Sequence, residues 1–339
     1  MGKDHQSRRH STRVNTCMHP NIMKNALKLF PLSAFVLLSG HVQAQSSLTL
    51  FGKVDAGLVR AIGAGTTTLG EGAQSRFGLR GTEDLGQGLK VSFWLENRFR
   101  SNTGALTAVR YFQGQSIVAI EGGWGKVSLG RDYVAGYTEV QITPDPFIHT
   151  GVSSFVSVGT GGIGTVRNDG AITYKSQLGA FGFALQTASD VNPNSATLPA
   201  ASTIDRPVNG YLSYQAGPVY LGWSHENPGG ANDSWNFIAA RYVLDRWTLT
   251  AGFGSGKDNV NNKRKSAMLG AAFKTNAGRV KLSYGQLENT TTHTDLTKKF
   301  AIGYNHDLSK RTFLYANLAH DKAVATNRSG FDLGLQHNF

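Results

Sequence analysis

A two-residue rhythm constrains this chain more than any other feature. From about residue 46 to the end, apolar and polar side chains alternate in run after run. In residues 90–99 (KVSFWLENRF), Val91, Phe93, Leu95 and Phe99 share one face, and Ser92, Trp94, Glu96 and Arg98 share the other. In 76–81 (RFGLRG), Phe77 and Leu79 oppose Arg76 and Arg80. In the last segment Phe331, Leu333, Leu335, His337 and Phe339 alternate with Asp332, Gly334, Gln336 and Asn338. That period belongs to strands with one apolar and one polar face. Helical periodicity is hard to find, and 41 glycines work against stable helices.

The breaks between runs come in two kinds. Short turns fall at 85–88, 122–125, 178–180, 216–218, 244–246, 275–278 and 308–311. Long loops fall near 63–72, 100–108, 132–167, 189–206, 227–233, 257–264, 288–297 and 321–328. Seven short turns alternating with eight long loops give sixteen strands. Segments of about 10 residues, tight turns on one side and long loops on the other, are the pattern of a transmembrane β-barrel. In hydrocarbon an unpaired strand edge costs several kcal/mol per backbone group, so such a sheet must close on itself. Sixteen strands enclose more space than side chains can fill, which leaves a channel. The predicted fold is therefore all-β, a 16-stranded antiparallel barrel. A soluble sandwich would bury its apolar face and would not need this alternation of connections.

The N-terminus has a different character. From Met23 the chain reads MKNALKLFPLSAFVLLSGHVQAQSS, with Lys24 and Lys28 before a short apolar core and a small-x-small site at 42–44. This pattern is a secretory signal peptide. Its apolar core is too short for a spanning helix, which needs about 18 residues or more. Residues 1–44 are therefore expected to be removed, leaving a barrel of 45–339. Loss of Lys3, Arg8, Arg9, Arg13, Lys24, Lys28 and Asp4 lowers the formal charge from +12 to +7. Cys17, the one cysteine, leaves too, which excludes disulfides and cysteine-based zinc sites.

Three stretches then carry a resemblance. SSLTLFGKVDAGL from Ser46, SRFGLRGTEDLGQGLKVSFWLENRF from Ser75 and WGKVSLGRDY from Trp124 resemble general porins of Gram-negative outer membranes, the beta-proteobacterial group above all. The ending FDLGLQHNF fits as well, with Phe339 as the residue the barrel-assembly machinery reads. The resemblance implies a homotrimer embedded in outer-membrane lipid and lipopolysaccharide. It also implies a third long loop, here 132–167, folded into the lumen. By motif position the basic constriction wall carries over to Lys53, Arg76, Arg80 and Arg131. Arg98 joins them by alternation, and Arg110 is a further candidate. Acidic residues of the loop, Glu139 and Asp145, with Asp132 and Asp169 at its edge, are expected to face that wall. Fixed basic charge in a narrow aqueous pore favours anions. The implied function is diffusion of small hydrophilic solutes and ions with weak anion preference, softened by Asp55, Glu83 and Glu96. Trp124 and Trp247 suit an interfacial girdle. Trp94 falls on the polar face, where nothing in the sequence accounts for it.

Other chemistries find little support. Gly159 to Gly164 matches GxGxxG, but a strand-like run follows where a dinucleotide site needs a helix. The histidines show no metal-ligand spacing, and no cofactor is indicated. Export and dispersed basic residues argue against nucleic acid. A solute-specific channel with a saturable site is the nearer rival and a barrel hydrolase the more distant one; no catalytic constellation is evident.

Overall fold

The computed structural model describes residues 47–189 and 206–339. The predicted signal peptide and most of the fourth long loop lie outside them. The described chain forms one compact unit of strands. In order these are β1 (Ser47–Arg60), β2 (Thr68–Gly70), β3 (Ser75–Gly86), β4 (Leu89–Phe99), β5 (Ser116–Gly122), β6 (Gly125–Tyr133), β7 (Arg167–Leu178), β8 (Phe181–Ala188), β9 (Val208–Ala216), β10 (Val219–Asn227), β11 (Ser234–Leu244), β12 (Trp247–Lys257), β13 (Lys263–Thr275), β14 (Gly278–Asn289), β15 (Thr294–Asp307), β16 (Thr312–Asp321) and β17 (Ser329–Asn338). The three-residue β2 sits within the first long loop and pairs with β1. The other sixteen are the staves of a closed antiparallel barrel.

Closure is made by β1. Its first half pairs with β3, Lys53 opposite Arg76, and its second half pairs with β17, Lys53 opposite Asn338. The C-terminal residue extends the seam. The Phe339 N–H donates to the Gly52 carbonyl and the Gly52 N–H donates back, each at 3.0 Å. Glycine is required there, because a Cβ on Gly52 would lie 2.5 Å from the Phe339 ring.

All seven short turns fall where the rhythm breaks. The second long loop runs further than the sequence indicates, to residue 115. The faces divide as the alternation requires. Leu50, Val54 and Leu58 of β1, Leu269 of β13 and Leu318 of β16 are exposed apolar residues on the outside. Among the described residues no helix is long and apolar enough to cross a membrane.

The buried apolar core does not lie at the centre of the lumen. It forms where the third long loop, residues 134–166 (loop 3), lies on the inner wall. Val140, Phe147, Phe155 and Val158 of the loop pack against Trp235, Phe237, Met268 and Leu287 of the strands.

Candidate functional site: a basic wall facing an inward loop

Loop 3 reaches across the lumen because the opposite wall is shaped to receive it. A Cβ on Gly270 would lie 2.5 Å from the Pro144 carbonyl oxygen, and one on Gly285 would lie 2.7 Å from the Phe155 ring. One on Gly303 would lie 2.8 Å from the Phe147 ring. These glycines leave a trough in which proline and phenylalanine side chains sink. Hydrogen bonds then fasten the loop. Trp235 Nε1 donates to the Gly159 carbonyl at 2.8 Å, and Thr250 Oγ1 donates to the Pro144 carbonyl at 2.7 Å. Asp332 accepts from the Val152 N–H at 2.8 Å, and Glu226 accepts from the Thr165 N–H at 2.7 Å. The ammonium of Lys281 stands 4.6 Å from the Phe147 ring centroid and that of Lys299 4.8 Å from the Phe155 centroid. Each places a cation on an aromatic face. The GxGxxG match belongs to this loop. It ends the short helix α1 (Val156–Thr160), with Gly161 left-handed (φ 68°) and pressed against Trp235.

Facing the loop is the basic wall. Lys53 of β1, Arg76 of β3 and Arg98 of β4 lie in register on three neighbouring strands. They border a lumenal space of about 920 Å³. Arg98 is held at three points. Its Nε donates to Glu96 at 2.8 Å, and its Nη atoms donate to Gln74 Oε1 and the Tyr133 hydroxyl, each at 2.7 Å. Arg76 lies 3.6 Å from Glu96. Arg167, named in the sequence only as a loop boundary, extends the wall. Its guanidinium covers the Tyr133 ring at 4.1 Å and donates to that hydroxyl. Tyr133 in turn stacks on Tyr137 of the loop, centroids 5.9 Å apart. A second basic group borders the same space from the other side: Lys274, Arg279 and Lys281. The run 279–284 (RVKLSY) carried that signal, since Arg279 and Lys281 alternate with apolar residues.

The acidic partners do not stand where the resemblance implies. Asp145 is turned into the loop itself. It accepts the N–H groups of Phe147 and His149 at 2.9 Å each and of Phe155 at 3.2 Å. Burial pushes its carboxyl up to about 6, and burial pulls the His149 imidazole down to about 3. Asp145 therefore braces the loop rather than facing the wall. Glu139, on the π-helical turn Tyr137–Gln141, pairs with Lys175. It borders a different space of about 660 Å³, which the turn residues Gly88, Gly122 and Gly125 place at the short-turn end. The loop 3 residues that border the larger space include Tyr137, Ile142, Pro146, His149 and Thr150, and none of them is a carboxylate. Two acids border the larger space, Asp55 and Asp307. Asp55 is buried, and it accepts from the Tyr315 hydroxyl at 2.6 Å and the Gly72 N–H at 2.9 Å.

Three basic candidates also lie elsewhere. Arg131 does not border the larger space. Gly130 (φ 128°) opens a bulge, and the register with β7 shifts between Gly130 and Asp132. The Arg131 side chain pairs with Asp169, and its Nε donates to the Gln113 carbonyl at 3.1 Å. Arg110 joins the same Asp169 at 2.7 Å. Asp132 is tied to Gln115 and Ser128. Arg80 is four residues along β3 from Arg76, roughly 13 Å nearer the short turns. There it stands over Phe51 and Trp94, 5.6 and 5.3 Å from the ring centroids. This accounts for Trp94 on the polar face: it points into the lumen and packs on Phe51 at 4.3 Å.

Comparison with known proteins agrees with this architecture. The family described as Gram-negative porin matches residues 32–326. Outer membrane porin protein 32 of Delftia acidovorans is 34% identical over 89% of this chain and 90% of its own length. An outer membrane porin protein of Bordetella pertussis is 27% identical over 89% and 96%. Among solved structures, an anion-selective porin from Comamonas acidovorans superposes with a TM-score of 0.73 at 29% identity, covering 87% of this chain and all of that one. A barrel of Vibrio cholerae, at 14% identity and a TM-score of 0.67, shares the fold alone. With its closed sixteen-stave barrel and its lumenal loop, the chain belongs to the Gram-negative porins, channel proteins of the outer membrane.

Proposed function

We propose that this porin passes small hydrophilic solutes by diffusion and prefers anions, working as a homotrimer. One observation carries the preference. Lys53, Arg76, Arg98, Arg167, Lys274, Arg279 and Lys281 border the larger lumenal space, against Asp55 and Asp307. Among the described residues seven basic groups border the space against two acidic ones, and even with Glu96 paired to Arg98 and Arg76 the surplus holds it at positive potential, a field that low-dielectric walls concentrate. The basic groups sit on strands, so their positions are set by the barrel. Ions must leave such a space as readily as they enter it. The loop contributes width, and the wall contributes charge. The likeness to an anion-selective porin of Comamonas acidovorans supports the same reading. In this reading residues 1–44 direct export, and the strand ending in Phe339 is what the barrel-assembly machinery engages. The outer face meets lipid and lipopolysaccharide.

Purified protein in a planar bilayer tests the proposal. Expected are ohmic current steps in groups of three and a reversal potential in a KCl gradient that reports chloride as the more permeant ion. A protein that conducts no ions, or that passes potassium better than chloride, would refute it.

A further inference from the structure

The aromatic pair in the lumen has no part in the basic wall and asks for its own account. On β1, β3 and β4 the inward residues form successive tiers about 7 Å apart along the strands. Lys53, Arg76 and Arg98 make the first tier. Gly78 stands in the second, and a Cβ there would lie 2.4 Å from the Phe51 ring, so that ring lies flat over the glycine. Trp94 packs on Phe51 from the third tier, with centroids 4.3 Å apart and planes at 45°. Arg80, opposite Trp94 in register, lays its guanidinium over both rings. Among the described residues no carboxylate pairs with Arg80, and its side chain is exposed to the lumen.

A half-buried aromatic surface with an unneutralised guanidinium on it has a definite complement. The guanidinium offers an N–H fork to a carboxylate. The rings offer flat apolar area and a π-face to a planar group attached to that carboxylate. We propose that Phe51, Trp94 and Arg80 form a solute subsite for planar aromatic carboxylates, on the short-turn side of the basic wall. The subsite rests on the diffusion-channel reading. It adds a weak station within it, where aromatic acids dwell before or after passing Arg76. Contact with both the fork and the rings distinguishes such solutes from aliphatic anions of equal charge. Aliphatic anions engage the fork alone.

The test uses the purified protein in a planar bilayer with chloride as the carrier ion. Benzoate and cyclohexanecarboxylate carry the same charge and nearly the same bulk, but only benzoate is planar. Benzoate is expected to reduce the chloride current saturably, half-blocking at a concentration about fivefold below that of cyclohexanecarboxylate. Trp94→Leu is expected to erase that difference. Phe51→Leu reports the same loss should the tryptophan variant give no channels, and chloride conductance shows that each variant has folded. Equal block by the two acids in the unsubstituted protein would overturn the subsite. So would a preference for benzoate that survives in Trp94→Leu. Absence of chloride current in the unsubstituted protein would overturn the channel reading instead.

Discussion

Replacing Arg76 by glutamine tests the basic wall most directly. Arg98 is fastened at three points, so its loss would disturb Glu96, Gln74 and Tyr133 together. Arg76 is looser: its side chain is 21% exposed and its nearest carboxylate is 3.6 Å away. An ion passing about 6 Å from that guanidinium in a medium of dielectric constant about 80 feels about 0.7 kcal/mol. Screening over a Debye length of about 10 Å at 0.1 M salt reduces this to about 0.4 kcal/mol. The charge favours an anion by that amount and disfavours a cation by the same amount, so its removal shifts their ratio by about 0.8 kcal/mol, roughly fourfold. Arg76→Gln should therefore lower the chloride-to-potassium permeability ratio about fourfold, read from the reversal potential in a KCl gradient near 0.1 M. At 1 M the Debye length is about 3 Å, and the same substitution should change the ratio by less than about 1.5-fold. Arg80→Gln, two tiers away toward the short turns, should move it clearly less. An Arg76→Gln channel with an unchanged reversal potential at 0.1 M would refute the reasoning. An effect of equal size in Arg80→Gln, or one that persists at 1 M, would refute it equally.

Three other outcomes follow from the geometry. Gly285→Val should drive Phe155 out of its trough and loosen loop 3, giving noisier single-channel current and faster proteolysis of the loop; unchanged noise would mean the trough is not what holds it. Asp145 carries a carboxyl raised to about 6 by burial. Its contribution to loop stability is therefore complete below about pH 4 and lost as pH rises through about 6. Exchange of the Phe147, His149 and Phe155 amides, corrected for intrinsic rates, should be faster at pH 7 than at pH 5; a flat profile would count against it. Deleting Phe339 removes both hydrogen bonds to Gly52, and the yield of folded barrel should fall severalfold, measured as heat-modifiable protein on a gel.

The staves were legible because hydrocarbon outside and water inside impose a strict period of two. Every short turn could be read from where that period breaks. The site was legible only in part, for three separate reasons. Arg131 was placed on the wall by motif position, which carries no sign of the bulge that shifts the register at Gly130 or of the Asp169 carboxylate that takes its side chain. Asp145 looked like a lumenal acid because an irregular loop has no period from which to infer orientation. Its three backbone partners are a property of the folded loop. Nothing in the alternation sets Phe51 or the glycines of β13 to β15 apart from other strand residues. Their role depends on what crosses the lumen to meet them. The inward face of Arg98, by contrast, follows from alternation alone, and that of Lys281 was open to the same argument.

The trough for loop 3 has a consequence for how this channel can vary. In the proposed channel the basic groups sit on strands, while the aperture is set by a loop seated on glycines of the far wall. Size cut-off and ionic preference are thus written in different segments of the chain. A lineage or an engineer can resize the opening by rewriting residues 134–166 and leave the charge of Lys53, Arg76 and Arg98 in place, or retune the charge without touching the aperture.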